Sequence, residues 1–181
     1  MALTATIYNL TIELADIDRS VYEQLELRMA RQPSETLEYM LMRVLAYCLE
    51  YKEGIVLTEG VAAGSDPAIL IRDLTGKTTA WIEVGTPDPQ RIHRGLKLAG
   101  RAAVYTHKDV RKLLKDWEAA GIPRLAEVPV YTFDQNLVSN IVPLLESRRN
   151  QISLSITERE LYLDVDGQGF TATIAAHRIS S

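Results

Sequence analysis

A single cysteine, Cys48, stands among the 181 residues, which leaves no internal disulfide framework and fits a reducing compartment. Cys48 falls on the apolar face of a predicted helix and reads as a small core residue rather than a nucleophile. The three histidines, His93, His107 and His177, lie too far apart to form a zinc signature. There is no glycine-rich phosphate loop and no nucleophile elbow; Gly64-Ser65-Asp66 lacks the second glycine of one. No apolar run approaches the ~18 residues of a membrane span, and residues 1–4 lack the basic-then-apolar order of a secretory leader. These absences point to a soluble, cytoplasmic protein with no membrane association. A net charge of −4 argues against coating nucleic acid non-specifically, but leaves room for a local basic patch.

What is present suits one domain with a real core: 46% of the residues are apolar and 24% charged. Residues 3–14 alternate as a strand, with a phase change between Ile7 and Tyr8 that predicts a bulge. Residues 22–31 are rich in good helix formers, yet Leu25, Leu27 and Met29 alternate with Gln24, Glu26 and Arg28. The period decides for a strand, so residues 3–31 make a long hairpin. Ser34 can cap a helix over residues 35–51, apolar on more than one side. A short strand at 55–57 and a Gly- and Ala-rich loop at 59–65 follow.

Next come Asp66-Pro67, two strands around a Thr75-Gly76 turn, and Trp81-Ile82-Glu83-Val84-Gly85. If Thr75 and Gly76 centre the turn, Asp66 opens the first strand, Glu83 faces Ala68, and Asp66 is the diagonal neighbour on the same face. Diagonal partners lie roughly 7–8 Å apart, and two carboxylates so placed can share a divalent cation. Asp88 caps a helix to about residue 101, with Pro89 in its first position. A buried strand at 102–106, a helix at 107–119 and a strand at 128–133 follow. Asp134 caps a helix to about residue 146, which Pro143 bends or ends. Residues 151–176 read as a three-strand meander pairing with the N-terminal hairpin. The expected architecture is a single α/β domain over residues 1–181. Its core spans about 32–150 and packs against an antiparallel sheet made by 1–31 and 151–181.

The order helix, strand, strand hairpin, helix, strand, with Asp66 and Glu83 so placed, resembles the PD-(D/E)xK, restriction-endonuclease-like fold, an αβββαβ core. Nearly the whole chain is similar to the YaeQ family. The matching pieces are Ala-Thr-Ile-Tyr near the start, Arg31-Gln32-Pro33-Ser34-Glu35-Thr36, Asp66-Pro67, and Trp81-Ile82-Glu83-Val84-Gly85-Thr86-Pro87-Asp88 with Arg91-Ile92 after it. The nuclease resemblance implies that Asp66 and Glu83 hold Mg²⁺, with a third carboxylate from the first core helix: Glu38, or Glu35 one turn closer to the cap. It also implies a lysine two residues after the Glu, but that position is Gly85. Arg94 or Lys97, on the helix after Glu83, is the expected substitute cation; Lys77 sits at the far end of the hairpin.

Each residue also has a plainer reading. Asp-Pro initiates turns, Glu83 can be an outward alternating residue, and Glu38 can serve a helix N-terminus. Between Pro87 and Asp116 eight basic residues face three acidic ones. That local excess suits a phosphate-bearing partner and, more simply, a solvated pair of amphipathic helices. Two functions follow as expectations: a Mg²⁺-dependent nuclease or phosphodiesterase, and a catalytically inactive nuclease-fold module that binds nucleic acid or a protein.

Overall fold

The computed structural model describes residues 4–59, 64–134 and 136–180. The chain divides into two compact units, Met1–Leu41 with Phe133–Ile174, and Met42–Thr132 with Ala175–Ser181. Together they form a mixed α/β fold with two mixed sheets and, among the described residues, four α-helices.

In the first unit β1 (Thr6–Asp16) and β2 (Val21–Arg31) form the long hairpin that alternation predicts. Tyr8, Leu10, Ile12 and Leu14 are buried along one face of β1, and Leu25 and Met29 along the same face of β2. The ladder runs unbroken from Thr6 opposite Arg31 to Asp16 opposite Val21, so there is no bulge between Ile7 and Tyr8. Ile7 takes the opposite face, half-buried, and the apparent phase change is apolar residues on both faces.

β8 (Arg149–Thr157), β9 (Glu160–Val165) and β10 (Gln168–Thr173) form the expected meander. The sheet order is β10-β9-β8-β1-β2. β8 joins β1 in parallel, so the sheet is mixed rather than antiparallel. The chain leaves β2 at Arg31 and returns to the sheet only at Arg149, and long crossovers of that kind permit parallel pairing. The helix expected after Asp134 is cut short. α4 covers only Leu137–Ile141 and passes into a 3₁₀ turn over Val142–Ser147, with Pro143 in its first turn. Proline removes the N–H that an α-helix would use there. The Asp134 carboxylate accepts from the Thr173 N–H at 3.2 Å instead of capping the helix.

The unit boundary falls inside α1 (Leu37–Leu49), which is buried nearly all round, with Cys48 in the core as expected. Thr36, not Ser34, supplies its cap: the hydroxyl accepts from the Tyr39 N–H at 3.1 Å.

The second unit holds the other sheet, of six strands among the described residues. β3 (Ile55–Leu57), β4 (Ile69–Arg72) and β5 (Thr78–Val84) form an antiparallel meander. β6 (Ala102–Tyr105) and β7 (Val130–Thr132) then add in parallel to β5. α2 (Pro89–Ala99) links β5 to β6, and α3 (Val110–Ala120) links β6 to β7. Asp109 caps α3, which therefore starts after His107 and Lys108. β11 (Ala175–His177) pairs antiparallel with β7, so these last residues leave the terminal meander where the sequence pattern puts them. Trp81, Ile92, Leu96, Val104, Leu113 and Trp117 belong to one buried cluster between α2, α3 and the sheet. No helix among the described residues is long and apolar enough to cross a membrane.

Candidate functional site

The β4–β5 hairpin carries the residues that the sequence singles out. Its loop is wider than a two-residue turn. The Asp73 N–H donates to the Lys77 carbonyl at 2.9 Å, and Gly76 sits at φ 86°. Asp73 Oδ1 accepts from the Thr75 hydroxyl and from the Thr75 and Lys77 N–H groups. These bonds, led by the hydroxyl, hold its carboxyl below the usual carboxylate range.

A bulge after Ile71 absorbs the extra length, and from there the register is the expected one: Ile71 faces Ala80, Leu70 faces Trp81, Ile69 faces Ile82. Extended by one row, it sets Glu83 level with Ala68. The placing of Asp66 is corrected. β4 begins at Ile69, and Asp66 lies on an exposed bend before it. Pro67 has no N–H to give to a ladder, so the strand starts beyond it.

Trp81 and Glu83 share a face of β5 because residues two apart do so in a strand. α2 covers that face. Asp88 caps α2 through the Gln90 N–H at 2.8 Å, Pro89 opens it, and Gly100 closes it in the left-handed conformation. This cap sets the phase of the helix and brings Arg91, in its first turn, onto Glu83. Glu83 Oε1 accepts from Arg91 Nε at 2.6 Å and from Trp81 Nε1 at 3.0 Å. Arg91 Nη1 donates to the Gly64 carbonyl at 3.1 Å, and Nη2 to the Asp66 carbonyl. Its guanidinium carbon lies 6.0 Å from the centre of the Trp81 ring. All three nitrogens of Arg91 are thus committed to protein, and they tie residues 64–66 to the end of β5.

Glu83 is only 4% exposed. Burial pushes its carboxyl above the ordinary range; the Arg91 bond and charge, the Trp81 bond and the Arg94 charge pull it part of the way back. Gly95 fixes the other side of the indole. A Cβ there would meet Trp81 ring atoms at 2.3–2.4 Å. Alanine is the better helix former, but a rigid buried ring gives way at a cost. Gly95→Ala is expected to lose about 2 kcal/mol of stability in urea denaturation and to shift tryptophan fluorescence as the indole leaves Glu83.

Of the substitute cations expected from sequence, Arg94 is exposed and close enough for its charge to act on Glu83. Lys97, also exposed, lies in the last turn of α2, about 9 Å further along the helix than Arg91. Arg91 is the residue that sequence reasoning missed. The signal was there: a cation three residues after the cap Asp88 opposes the helix dipole, so it needs another anion. Gly85, where a nuclease-like motif would place lysine, has φ 87° and donates its N–H to the Tyr105 carbonyl at 2.9 Å. That backbone favours glycine over any side chain. Lys77 belongs to the hairpin loop. Glu35 and Glu38 belong to the first unit, where Glu35 Oε2 accepts from the Gln32 N–H at 3.3 Å and Glu38 is half-buried in the first turn of α1.

Apart from Arg91, the basic residues on and beside α2 and α3 are displayed rather than consumed. Arg94, Lys97, Lys108, Arg111, Lys112 and Lys115 are all exposed. Lys112 makes a loose pair with Asp116 at 3.6 Å. Arg101 is engaged: Glu50, buried, accepts from Arg101 Nη2 and from the Tyr105 hydroxyl, each at 2.7 Å. A cavity of about 620 Å³ opens where the chain leaves β5 and enters α3, with Thr86, Pro87, Asp88, Lys108, Lys112 and Trp117 in its wall. His177 Nε2 is 2.9 Å from the Thr132 hydroxyl. Among the described residues no three His, Cys, Asp or Glu side chains are grouped to hold a metal.

Comparison with known proteins places this geometry in a family. The family model described as YaeQ protein matches residues 1–174. "Uncharacterized protein YaeQ" of Escherichia coli K12 is 38% identical over 107 residues, 59% of this chain and 59% of that protein. The protein of the same description from Salmonella typhi is 36% identical over the same share. These matches span about three fifths of the length of the curated relatives. The crystal structure of the YaeQ protein from Xanthomonas axonopodis pv. citri is 25% identical and superposes with a TM-score of 0.86, over 98% of this chain and 100% of that one. The crystal structure of the YaeQ protein from Pseudomonas syringae is 27% identical, with a TM-score of 0.87 over 95% of both chains.

Proposed function

The chain belongs to the YaeQ family, and from that premise we propose that it is a catalytically inactive, nuclease-fold module that binds nucleic acid through the basic faces of α2 and α3. The order of α1, the β3–β4–β5 meander, α2 and the parallel β6 supports a PD-(D/E)xK-like, restriction-endonuclease-like core. One observation carries the inactive reading: the cation at Glu83 is the Arg91 guanidinium. Arginine stays protonated and cannot take a proton from water. The backbone at Gly85 does not favour the lysine that would do so.

The donors do not fit Mg²⁺ as they are arranged: among the described residues no three His, Cys, Asp or Glu side chains are grouped, and Glu83 Oε1 already accepts from both Arg91 and Trp81. The second reading, a Mg²⁺-dependent nuclease with Asp66 and Glu83 on the metal and Arg94 or Lys97 on phosphate, is favoured by a different observation. One guanidinium touches both Glu83 and the Asp66 backbone, so the two acidic residues are brought to the same place. It requires Glu83 to hold the metal through Oε2, beside the Arg91 charge on Oε1.

Binding of labelled single- and double-stranded DNA and RNA, followed by fluorescence anisotropy, separates these readings. The binding module predicts affinity that falls steeply with salt. Arg94→Glu with Lys97→Glu is expected to weaken it and to flatten the log–log salt slope by roughly one to two units. No association at low salt would remove the nucleic-acid proposal. Mg²⁺-dependent cleavage abolished by Asp66→Ala would instead select the nuclease.

A further inference from the structure

β2 is the end strand of the first sheet, eleven residues long, with no bulge or proline to blunt it. An open edge of that length presents unpaired N–H and C=O groups and is a template for another strand. Glu23, Gln24, Glu26 and Arg28 are exposed along it, whereas Leu25 and Met29 are buried on one face. From the charge order we infer that this edge pairs with the same edge of a second copy of the chain, antiparallel, about a two-fold axis at Leu27.

The register follows from symmetry. An axis perpendicular to the sheet keeps the buried face on one side, so each residue must meet a partner residue of its own face. Centred on Leu27, Glu26 of each copy faces Arg28 of the other, Glu23 faces Arg31, Leu25 faces Met29, and Leu27 faces itself. Centred one residue earlier, Glu26 meets Glu26; one residue later, Arg28 meets Arg28. Only the Leu27 register opposes unlike charges and matches apolar with apolar, and directly opposed like charges are unfavourable. Arg31 is engaged on its own chain, by the Tyr8 hydroxyl at 3.3 Å and the Glu35 carbonyl at 2.8 Å. The Glu26–Arg28 pair, made twice by symmetry, therefore carries the discrimination. The product is one continuous sheet across two copies.

Sedimentation equilibrium over a concentration series tests this. The wild-type chain is expected to associate to a dimer. Glu26→Arg alone and Arg28→Glu alone each oppose like charges twice, and each should raise the dimer dissociation constant by roughly tenfold. The double swap, Glu26→Arg with Arg28→Glu, restores the unlike pairs and should bring association back to near wild type. Glu26→Gln, with no new repulsion, should weaken association less than Glu26→Arg, and circular dichroism checks that each variant folds. A chain that stays monomeric throughout overturns the inference. So does a dimer indifferent to the single swaps, or one that the double swap fails to restore.

Discussion

Arg91→Ala lowers the free energy of unfolding by about 3 kcal/mol at neutral pH. Removing one partner of a buried ion pair costs about 3–5 kcal/mol, because the other charge is stranded. The lower end applies here, since the Arg91 side chain is 28% exposed whereas that of Glu83 is 5% exposed. Three hydrogen bonds go with it, and residues 64–66 lose their tie to β5. The effect carries a pH signature. Burial already raises the Glu83 carboxyl in the folded protein, so between the unfolded value, about 4.3, and the raised folded value the folded state holds more protons than the unfolded one. Stability that Glu83 contributes in its protonated form is lost as pH rises through that window. Without Arg91 the folded value climbs further and the window widens. The destabilisation in urea melts should therefore be larger at pH 7 than at pH 5. Arg91→Ala combined with Glu83→Gln, which removes the stranded charge, should recover about half of the loss. Equal losses at both pH values would mean that Arg91 acts by packing alone.

Gly54→Ala is expected to cost about 3–4 kcal/mol, or to prevent folding. Gly54 has φ 90°, and a Cβ there would lie 2.0 Å from the Arg72 carbonyl oxygen. The obstacle is backbone. The Arg72 N–H also donates to the Gly54 carbonyl at 2.9 Å, so the two segments cannot separate without splitting β3 from β4. Left-handed strain for alanine accounts for about 1–2 kcal/mol, and the collision supplies the rest. Gly76→Ala isolates the two parts. Gly76 has φ 86°, and nothing lies within 4 Å of its added Cβ. It should lose only the strain, and the difference between the two variants in urea denaturation measures the close approach. Such losses are large against a typical total of 5–15 kcal/mol.

Much of the frame is legible in local pattern. Alternation in residues 22–31 outweighs helix propensity because Leu25 and Met29 have β1 to pack beside. Asp88-Pro89 announces the start of α2, since capping depends on neighbouring residues alone; the pattern over 107–119 sets the start of α3 ahead of its cap, Asp109. The hairpin register also follows, although through a bulge and a five-residue loop rather than a two-residue turn. What escapes local pattern depends on distant chain. The parallel joint of β8 to β1 and the pairing of β11 with β7 leave no trace in short, ordinary segments. The Arg91–Glu83 pair depends on how the Gly85 turn phases α2 against β5. Arg94 and Arg91 share a helix, and only that phase decides which of them reaches the carboxylate.

Arg91 is the cation of Glu83, and calorimetric titration of the wild-type chain with Mg²⁺ and with Mn²⁺, beside Asp66→Ala and Glu83→Gln, tests this most directly. With Oε1 of Glu83 held by Arg91 and Trp81, no saturable heat that depends on Asp66 or Glu83 is expected. A one-to-one metal site present in the wild type and lost in both variants would contradict the account and make the hairpin a metal centre.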